Sequence, residues 1–181
     1  MAPKATVVKV ELQVSDMDRH YYGGHSLTLA QHPSETDERL MVRLLAFALN
    51  AHERLEFGKG LSTADEPDLW RRDLTGRIEH WLELGQPDES RLRKAAGRAD
   101  KVTLLGYQPR AFGQWWDKNS ATLSRIGTLE VLELPPGIGE ELAQGIGRTL
   151  EAQCFVQDGH VQWMCGTQSL EFAPLLRQAA Q

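Results

Sequence analysis

The segment WLELGQPDESRLRKA, residues 81–95, places a carboxylate next to a group of basic side chains. Glu83 ends a strand-like stretch, and Arg91, Lys94 and Arg98 follow within the next few helical turns. Such a carboxylate can bind a hard divalent cation, and a nearby basic side chain can stabilise the charge that develops on a phosphoryl group. The pattern therefore indicates either a metal-dependent phosphodiesterase site or an ordinary strand end whose glutamate is paired with Arg91 or Lys94.

A second set of acids precedes this strand in the loop ADEPD, which contains Asp65, Glu66 and Asp68. Mg²⁺ and similar cations prefer oxygen ligands and are often held by only one or two carboxylates together with water and substrate phosphate. An acid before the strand, an acid on the strand and a nearby lysine are the minimum set for such a site. The same spacing also fits a solvated acidic loop, so the residue types alone leave both interpretations open.

The strand and helix that position these groups follow from the sequence periodicity. One face of the strand at residues 78–85 takes Ile78, His80, Leu82 and Leu84, and the other takes Glu79, Trp81, Glu83 and Gly85. A helix is predicted over residues 88–99, with Pro87 suited to its first position and acids in its first turn. At 100° per residue, Arg91, Lys94 and Arg98 fall within a sector of about 60°, from which they could reach the end of the strand.

The remaining elements predict a mixed sheet with flanking helices. Residues 5–14 alternate as a strand, and a helix is predicted from an N-cap at Ser34 to about His52. Asp158-Gly159 indicates a two-residue type I′ hairpin turn. The order ββ-α-β-β-α-β-α-β-α-β-β-β predicts an α/β (α+β) protein with one domain over residues 1–181 and a single mixed sheet flanked by helices.

The composition is typical of a soluble bacterial protein of the cytoplasm. The chain has no apolar run long enough to span a membrane, and its N-terminus, MAPKATVVKVELQV, lacks the apolar core of a signal peptide. Cys154 and Cys165 are therefore predicted to be free thiols in the core. A net charge of −5 argues against an electrostatic grip on nucleic acid over the whole surface, but it allows a local basic patch.

Other chemistries lack their sequence signatures. The six histidines are scattered without the spacing of a zinc site, and no G-x-S-x-G motif supports a serine hydrolase. The glycines form no phosphate-binding loop, because no Lys-Ser/Thr pair follows them. Trp115 and Trp116 could stack on a base if exposed, although packing between helix and sheet is the simpler prediction.

Four stretches, HPSETDERLMVRLLA, DEPDLW, WLELGQPDESRLRKA and VQDG, occur in an order that resembles the YaeQ family of bacterial proteins over nearly the whole chain. The resemblance implies one YaeQ-like domain over residues 1–181. It also implies a compact variant of the restriction-endonuclease-like fold, the PD-(D/E)XK nuclease fold, and nuclease activity is inferred for the family from that fold.

Carried over by position, the resemblance makes Asp68 of the Pro67-Asp68 pair the PD aspartate, with Asp65 and Glu66 as substitutes. Glu83 takes the place of the acid in the strand motif. The position two residues further, where the motif has a lysine, is Gly85. Lys94, on the next helix, is the first candidate for the missing cation, and Arg91 is the second.

The resemblance adds two accessory residues: Gln86 as a neutral donor, and Glu38, early in the first long helix, as an accessory acid. Asp68, Glu83 and Glu38 would bind Mg²⁺ or Mn²⁺. The implied function is a metal-dependent nuclease or phosphodiesterase acting on DNA or RNA. The alternative is a non-catalytic protein that uses the same cleft to bind a nucleic acid or a protein partner, and Gly85 in place of the lysine favours it.

Overall fold

The computed structural model describes residues 5–60 and 63–181, which form two compact units. Within the described residues, the first unit comprises 5–51 and 137–173, and the second comprises 52–136 and 174–181. The prediction of one domain over residues 1–181 stays a prediction.

The described residues form eleven strands and four helices. In chain order the strands are β1 (Thr6–Asp16), β2 (Tyr21–Gln31), β3 (Leu55–Phe57), β4 (Leu69–Arg72), β5 (Ile78–Leu84), β6 (Ala99–Gly106), β7 (Leu129–Glu133), β8 (Thr149–Gln157), β9 (His160–Cys165), β10 (Gln168–Phe172) and β11 (Leu175–Gln178). The helices are α1 (Asp37–Leu49), α2 (Glu89–Arg98), α3 (Pro109–Leu123) and α4 (Ile138–Gln144).

The first unit contains a five-stranded sheet in the order β10-β9-β8-β1-β2, together with α1 and α4. β1 runs antiparallel to β2 and parallel to β8, so this sheet is mixed. The alternation predicted for β1 is present, since Val8, Val10, Leu12 and Val14 are buried and their neighbours face outward. The turn at Asp158-Gly159 has positive φ at both residues, as a type I′ hairpin requires.

The N-cap of α1 lies two residues beyond the predicted one. The N-cap is Thr36, whose Oγ1 accepts a hydrogen bond from Arg39 N at 3.1 Å. The hydroxyl of Ser34 instead contacts His32 Nδ1 at 2.7 Å. The helix ends at Leu49, before the predicted limit at His52, because the chain leaves the helix through Asn50. The difference at the helix start is of the size expected when hydroxyl and acidic residues cluster there.

Thr36→Ala is expected to lower the free energy of unfolding by about 1 kcal/mol, because it leaves an amide of the first helical turn without its side-chain acceptor. Ser34→Ala is the matched control and should change stability by less than about 0.5 kcal/mol, as an exposed substitution outside the helix. Urea unfolding of both variants measures the difference. Equal losses would mean that Thr36 does not cap α1.

The second unit contains a six-stranded mixed sheet in the order β11-β7-β6-β5-β4-β3. β5, β6 and β7 are parallel, and the strands at either end are antiparallel to their neighbours. Residues of α2 and α3 pack on one face of this sheet in a core that includes Trp81, Leu92, Val102, Leu104, Phe112 and Val131. Trp115 and Trp116 pack against the same core, as predicted.

The α+β class predicted from sequence is confirmed, but the single mixed sheet is two separate sheets. The division arises because β1 pairs with the distant β8, through partners such as Lys9 and Thr149, and β2 ends that sheet. Alternation identifies the faces of a strand but not its neighbours, so this pairing could not be read from the sequence. β4 was also missed, because Leu69–Arg72 is a short segment that directly follows the acidic loop ADEPD.

The two cysteines are buried free thiols, as predicted: Cys154 is 1% and Cys165 is 4% exposed. Burial, followed by repulsion from nearby Asp16, raises the pKa of the Cys154 thiol to about 12. The thiol is therefore protonated and unreactive at neutral pH. Among residues 5–60 and 63–181, no helix has the length and apolar character needed to cross a membrane.

Candidate metal centre

Glu83 lies near the end of β5 and is only 4% exposed. Its strand neighbours Leu82 and Leu84 are buried as well, as the alternation predicted. β5 lies between β4 and β6, and α2 covers the face that carries Trp81. A carboxylate in this position loses most of its hydration, so it requires donors or a cation from the protein.

Asp68 is the second buried acid at this place, with 2% exposure. It directly precedes β4, whose Leu69 lies opposite Leu82 in the antiparallel register with β5. That register brings Asp68 to the level of Glu83, and Asp68 Oδ2 accepts a hydrogen bond from Leu84 N at 3.0 Å. The predicted pairing of one acid before the strand with one acid on the strand is therefore present in the structure.

The pKa of Glu83 is raised from 4.5 to about 7. Loss of hydration is the largest cause, and repulsion from Asp68 adds to it. Arg91 and the hydrogen bond from Trp81 act in the opposite direction but do not cancel these effects. Two carboxylates close together in a poorly hydrated place resist ionising together, so at neutral pH Glu83 carries its negative charge only part of the time.

Arg91 is the basic residue that pairs with Glu83. Its Nε donates to Glu83 Oε1 at 2.8 Å, and Trp81 Nε1 donates to the same oxygen at 2.8 Å. The guanidinium also donates to the carbonyl oxygens of Glu66, at 2.8 Å, and Thr63, at 3.3 Å. Arg91 therefore links the end of β5 to the backbone of the loop before β4.

The loop before β4 folds closely around Asp68. Gly58 N donates to Asp68 O at 3.0 Å, and Gly60 N donates to Pro67 O at 3.0 Å. A Cβ atom at Gly60 would overlap Asp68 Oδ1, and Gly60 has a φ of +47°, so glycine is needed there on both counts. Position 60, beside the Asp68 carboxylate, thus has no room for a side chain larger than that of glycine.

The two substitutes for Asp68 lie elsewhere on the loop. Asp65 is exposed, and its carbonyl oxygen accepts a hydrogen bond from Arg98 at 3.1 Å. The Glu66 carboxylate accepts a hydrogen bond from Lys59 N at 3.3 Å. Of the three loop acids, Asp68 is therefore the one beside Glu83.

Lys94 is exposed on α2 and lines a cavity of about 220 Å³. The lining residues are Ala64, Trp81, Asp88, Ser90, Arg91, Lys94, Ala95 and Arg98. Arg98 lies over the ring of Trp81, with its guanidinium carbon 5.1 Å from the ring centre. The three basic residues predicted to share one sector of the helix do line one cavity, although Arg91, and not Lys94, is bonded to Glu83.

Gly85 occupies the position where the nuclease motif has a lysine, and its backbone conformation favours glycine. Its φ is +84°, a conformation that residues with a side chain rarely adopt, and it lies one residue beyond the end of β5. Gln86 is half-buried, and its Nε2 lies 3.4 Å from Gln108 Oε1. A lysine at position 85 would therefore strain the turn, and Gln86 is engaged with the loop that precedes α3.

Glu38 belongs to the first unit, in the first turn of α1. A Cβ atom at Gly139 would lie 3.1 Å from Glu38 Oε1, so the carboxylate lies against the start of α4. Burial, followed by repulsion from Glu140, raises the pKa of Glu38. Its accessory role in a metal site stays a prediction.

Asp68 and Glu83 suit a hard cation with few protein ligands, because both offer carboxylate oxygens and both are already fixed by neighbouring donors. A cage made of protein ligands alone is not present: the described residues hold no group of three or more His, Cys, Asp or Glu side chains that could hold a metal ion. The pair fits an ion that keeps water or substrate oxygens as its remaining ligands.

Sequence reasoning identified both acids and gave Arg91 as one of two possible partners of Glu83, but it missed the other hydrogen bonds that hold the site. The bond from Trp81 to Glu83 could have been anticipated, since residues two apart share a face of a strand. The hydrogen bonds from Arg91 to the backbone of the loop could not be anticipated from the sequence. Every residue has a carbonyl oxygen, so no residue type marks which ones Arg91 binds.

The chain is thus an α+β protein with a buried two-carboxylate centre at the end of a mixed sheet. A sequence model described as YaeQ protein matches residues 1–174, and the chain belongs to this family. Proteins named "Uncharacterized protein YaeQ" from Salmonella typhi and Escherichia coli (strain K12) are each 43% identical to it over 164 residues, covering 91% of this chain and 90% of theirs.

Solved structures agree with this assignment. The crystal structure of the YaeQ protein from Xanthomonas axonopodis pv. citri is 55% identical and matches with a TM-score of 0.93, covering 97% of this chain and 99% of that one. The YaeQ protein from Pseudomonas syringae is 34% identical with a TM-score of 0.92, covering 97% of each chain. The nuclease-type fold implied by the sequence resemblance stays a prediction.

Proposed function

We propose that Asp68 and Glu83 bind Mg²⁺ or Mn²⁺ and that the protein is a metal-dependent nuclease or phosphodiesterase of the bacterial cytoplasm, acting on DNA or RNA. The observation that carries the proposal is the meeting of two buried carboxylates, Asp68 and Glu83, at the same level of β4 and β5, where burial and the nearby Asp68 raise the pKa of Glu83. A divalent cation between two such carboxylates would remove their repulsion and bind the ionised form of both.

The residues around the pair suit this chemistry. A bound ion would polarise a phosphoryl group and lower the pKa of a bound water. Arg91 fixes the Glu83 carboxylate and the loop that precedes Asp68, so both ligands are positioned before an ion arrives. Position 85, where the nuclease motif has a lysine, is a glycine, so Lys94 would supply the ammonium group from the wall of the cavity that Arg91 also lines. Gln86 would supply a neutral donor.

Titration calorimetry with Mn²⁺ tests the first step. We expect the wild-type protein to bind the ion, and Glu83→Gln and Asp68→Asn each to weaken binding at least about tenfold, since each removes one of two anionic ligands. Glu79→Gln is the matched control, because Glu79 lies on the same strand but pairs with Arg54 and Arg71. Identical binding by all four proteins, or none by the wild type, would contradict the proposal.

Cleavage assays on single- and double-stranded DNA and RNA test the second step. Metal-dependent cleavage that Glu83→Gln abolishes and Glu79→Gln retains would support the enzyme. The second candidate function is a non-catalytic protein that binds nucleic acid or a protein partner at the same cleft. The specific observation in its favour is Gly85, whose conformation leaves the strand without a lysine. Metal binding together with nucleic-acid binding, but without cleavage, would support that candidate.

A further inference from the structure

The sheet of the first unit ends at β2, which has a neighbour on one side only among the described strands. β2 is eleven residues long, from Tyr21 to Gln31. The unpaired amide and carbonyl groups of an edge strand are a template for another strand, and proteins usually block long edges with charges, proline or a covering segment.

The register of β1 determines which groups of β2 point outward. Lys9 N donates to Arg148 O, so Lys9 and alternate residues after it direct their peptide groups toward β8. The intervening residues, such as Val10, direct theirs toward β2, where Val10 lies opposite Leu27. On β2, the residues that alternate with Leu27 therefore direct their peptide groups away from β1, toward the open side of the strand. They are Tyr22, Gly24, Ser26, Thr28 and Ala30.

One end of this outer edge is closed, and the rest is open. Arg43 Nη2 donates to Ala30 O at 3.0 Å, which agrees with the outward direction of that carbonyl and occupies it. In residues 5–60 and 63–181, no group forms a hydrogen bond with the outward peptide groups of Gly24, Ser26 or Thr28. All three residues are exposed. The open segment, residues 22–28, is about 24 Å long.

The described part of the chain places none of the usual blocking devices on this edge. The strand reads YYGGHSLTLAQ, without proline and without an aspartate, glutamate, lysine or arginine. On its inner face Tyr21, His25 and Leu27 are only half-buried, and the ring of His25 packs edge-on against Phe47. A strand added at this edge would satisfy the peptide groups and would also cover more of this apolar row.

We propose that β2 pairs antiparallel with β2 of a second copy of this chain, across a twofold axis, and joins the two five-stranded sheets. Antiparallel pairing with itself is the arrangement that twofold symmetry allows for one strand. Because the open segment carries no charged side chain, self-pairing brings no like charges into opposition. Its neutrality also offers nothing that would select a charged peptide as the partner instead.

Sedimentation velocity over a range of protein concentrations tests the proposal with two variants at one position. Ser26→Pro removes an outward N–H that does not bond to β1, whereas Ser26→Ala keeps it. Both variants lose the same hydrogen bond to the Glu11 carboxylate, so the alanine variant is the matched control. We expect a concentration-dependent wild-type dimer, unchanged in Ser26→Ala, and a dissociation constant at least about tenfold higher in Ser26→Pro.

A second variant keeps the test valid if Ser26→Pro fails to fold. Thr28→Glu places a carboxylate on the edge, while in the monomer it faces Lys9 on β1. It should also weaken the dimer while retaining the wild-type circular dichroism spectrum. A wild type that stays monomeric at the highest concentration overturns the proposal. A dimer that neither Ser26→Pro nor Thr28→Glu weakens also overturns it, because the interface would then lie elsewhere.

Discussion

Glu83→Gln is expected to make the metal-free protein more stable than the wild type at pH 8, by up to about 3 kcal/mol, and to change stability little near pH 5. The pKa of Glu83 is raised on folding from 4.5 to about 7, and each tenfold change in a proton-dissociation constant corresponds to about 1.4 kcal/mol. Folding therefore favours the protonated carboxyl, which glutamine imitates in shape and neutrality.

The direction of the pH dependence follows from proton binding. Between about pH 4.5 and pH 7 the folded protein binds more protons at Glu83 than the unfolded chain does, so the contribution of this group to stability falls as the pH rises. It is fully present below pH 4.5 and lost above pH 7. The hydrogen bonds from Trp81 and Arg91 both fall on Oε1 of Glu83, so the carbonyl of a glutamine can accept them in the variant.

Urea unfolding at pH 5, 6, 7 and 8 in the presence of a chelator measures the effect. Glu79→Gln, on the same strand, should give no gain at pH 8, because it leaves Arg54 and Arg71 without their shared carboxylate. A difference between wild type and Glu83→Gln that is the same at every pH would show that Glu83 does not titrate in this range. Added Mn²⁺ should reverse the order at pH 8, because the proposed site binds the ionised form.

The alternation of apolar residues predicted the environment of Glu83 correctly. Leu82 and Leu84 are buried on either side of it, and the strand was predicted within one residue of its observed bounds. The meeting of Asp68 with Glu83 was predicted through the family resemblance and not through spacing. Spacing was insufficient, because the antiparallel register of β4 and β5 decides which loop acid reaches the strand, and β4 itself was not recognised.

Helical periodicity left Arg91 and Lys94 as alternative partners of Glu83 and did not decide between them. Arg91, Lys94 and Arg98 share one sector of α2, and each has enough length to reach the strand. The observed bond is made by Arg91 because the path of the loop places the carbonyl oxygens of Thr63 and Glu66 around its guanidinium. Loop paths depend on local backbone conformation, such as the positive φ of Gly60, which the sequence alone does not fix.

Arg91→Ala is expected to lower the free energy of unfolding by about 2–4 kcal/mol at pH 8. It leaves the buried carboxylates of Glu83 and Asp68 without the guanidinium that favours ionisation of Glu83. It also removes the donors to the carbonyl oxygens of Thr63 and Glu66, so the loop before β4 should exchange its amide hydrogens faster. The loss should be smaller at pH 5, because Glu83 can then take up a proton in place of its lost partner.

Arg93→Ala is the matched control on the same helix. Arg93 pairs with Glu89 one turn away, and its side chain is 63% exposed, so this substitution should cost less than about 0.5 kcal/mol and leave the loop unaffected. Equal losses in the two variants would mean that the effect of Arg91→Ala comes from the helix itself and not from the carboxylate pair.

The double variant Arg91→Ala with Glu83→Gln separates the two roles of Arg91. If pairing with the charged glutamate were its whole contribution, removing that charge should recover most of the stability lost by Arg91→Ala at pH 8. If Arg91 also holds the loop, recovery should be partial, and amide exchange near Thr63 and Glu66 should remain fast. We expect partial recovery, because only one of the three acceptors of the guanidinium is a carboxylate.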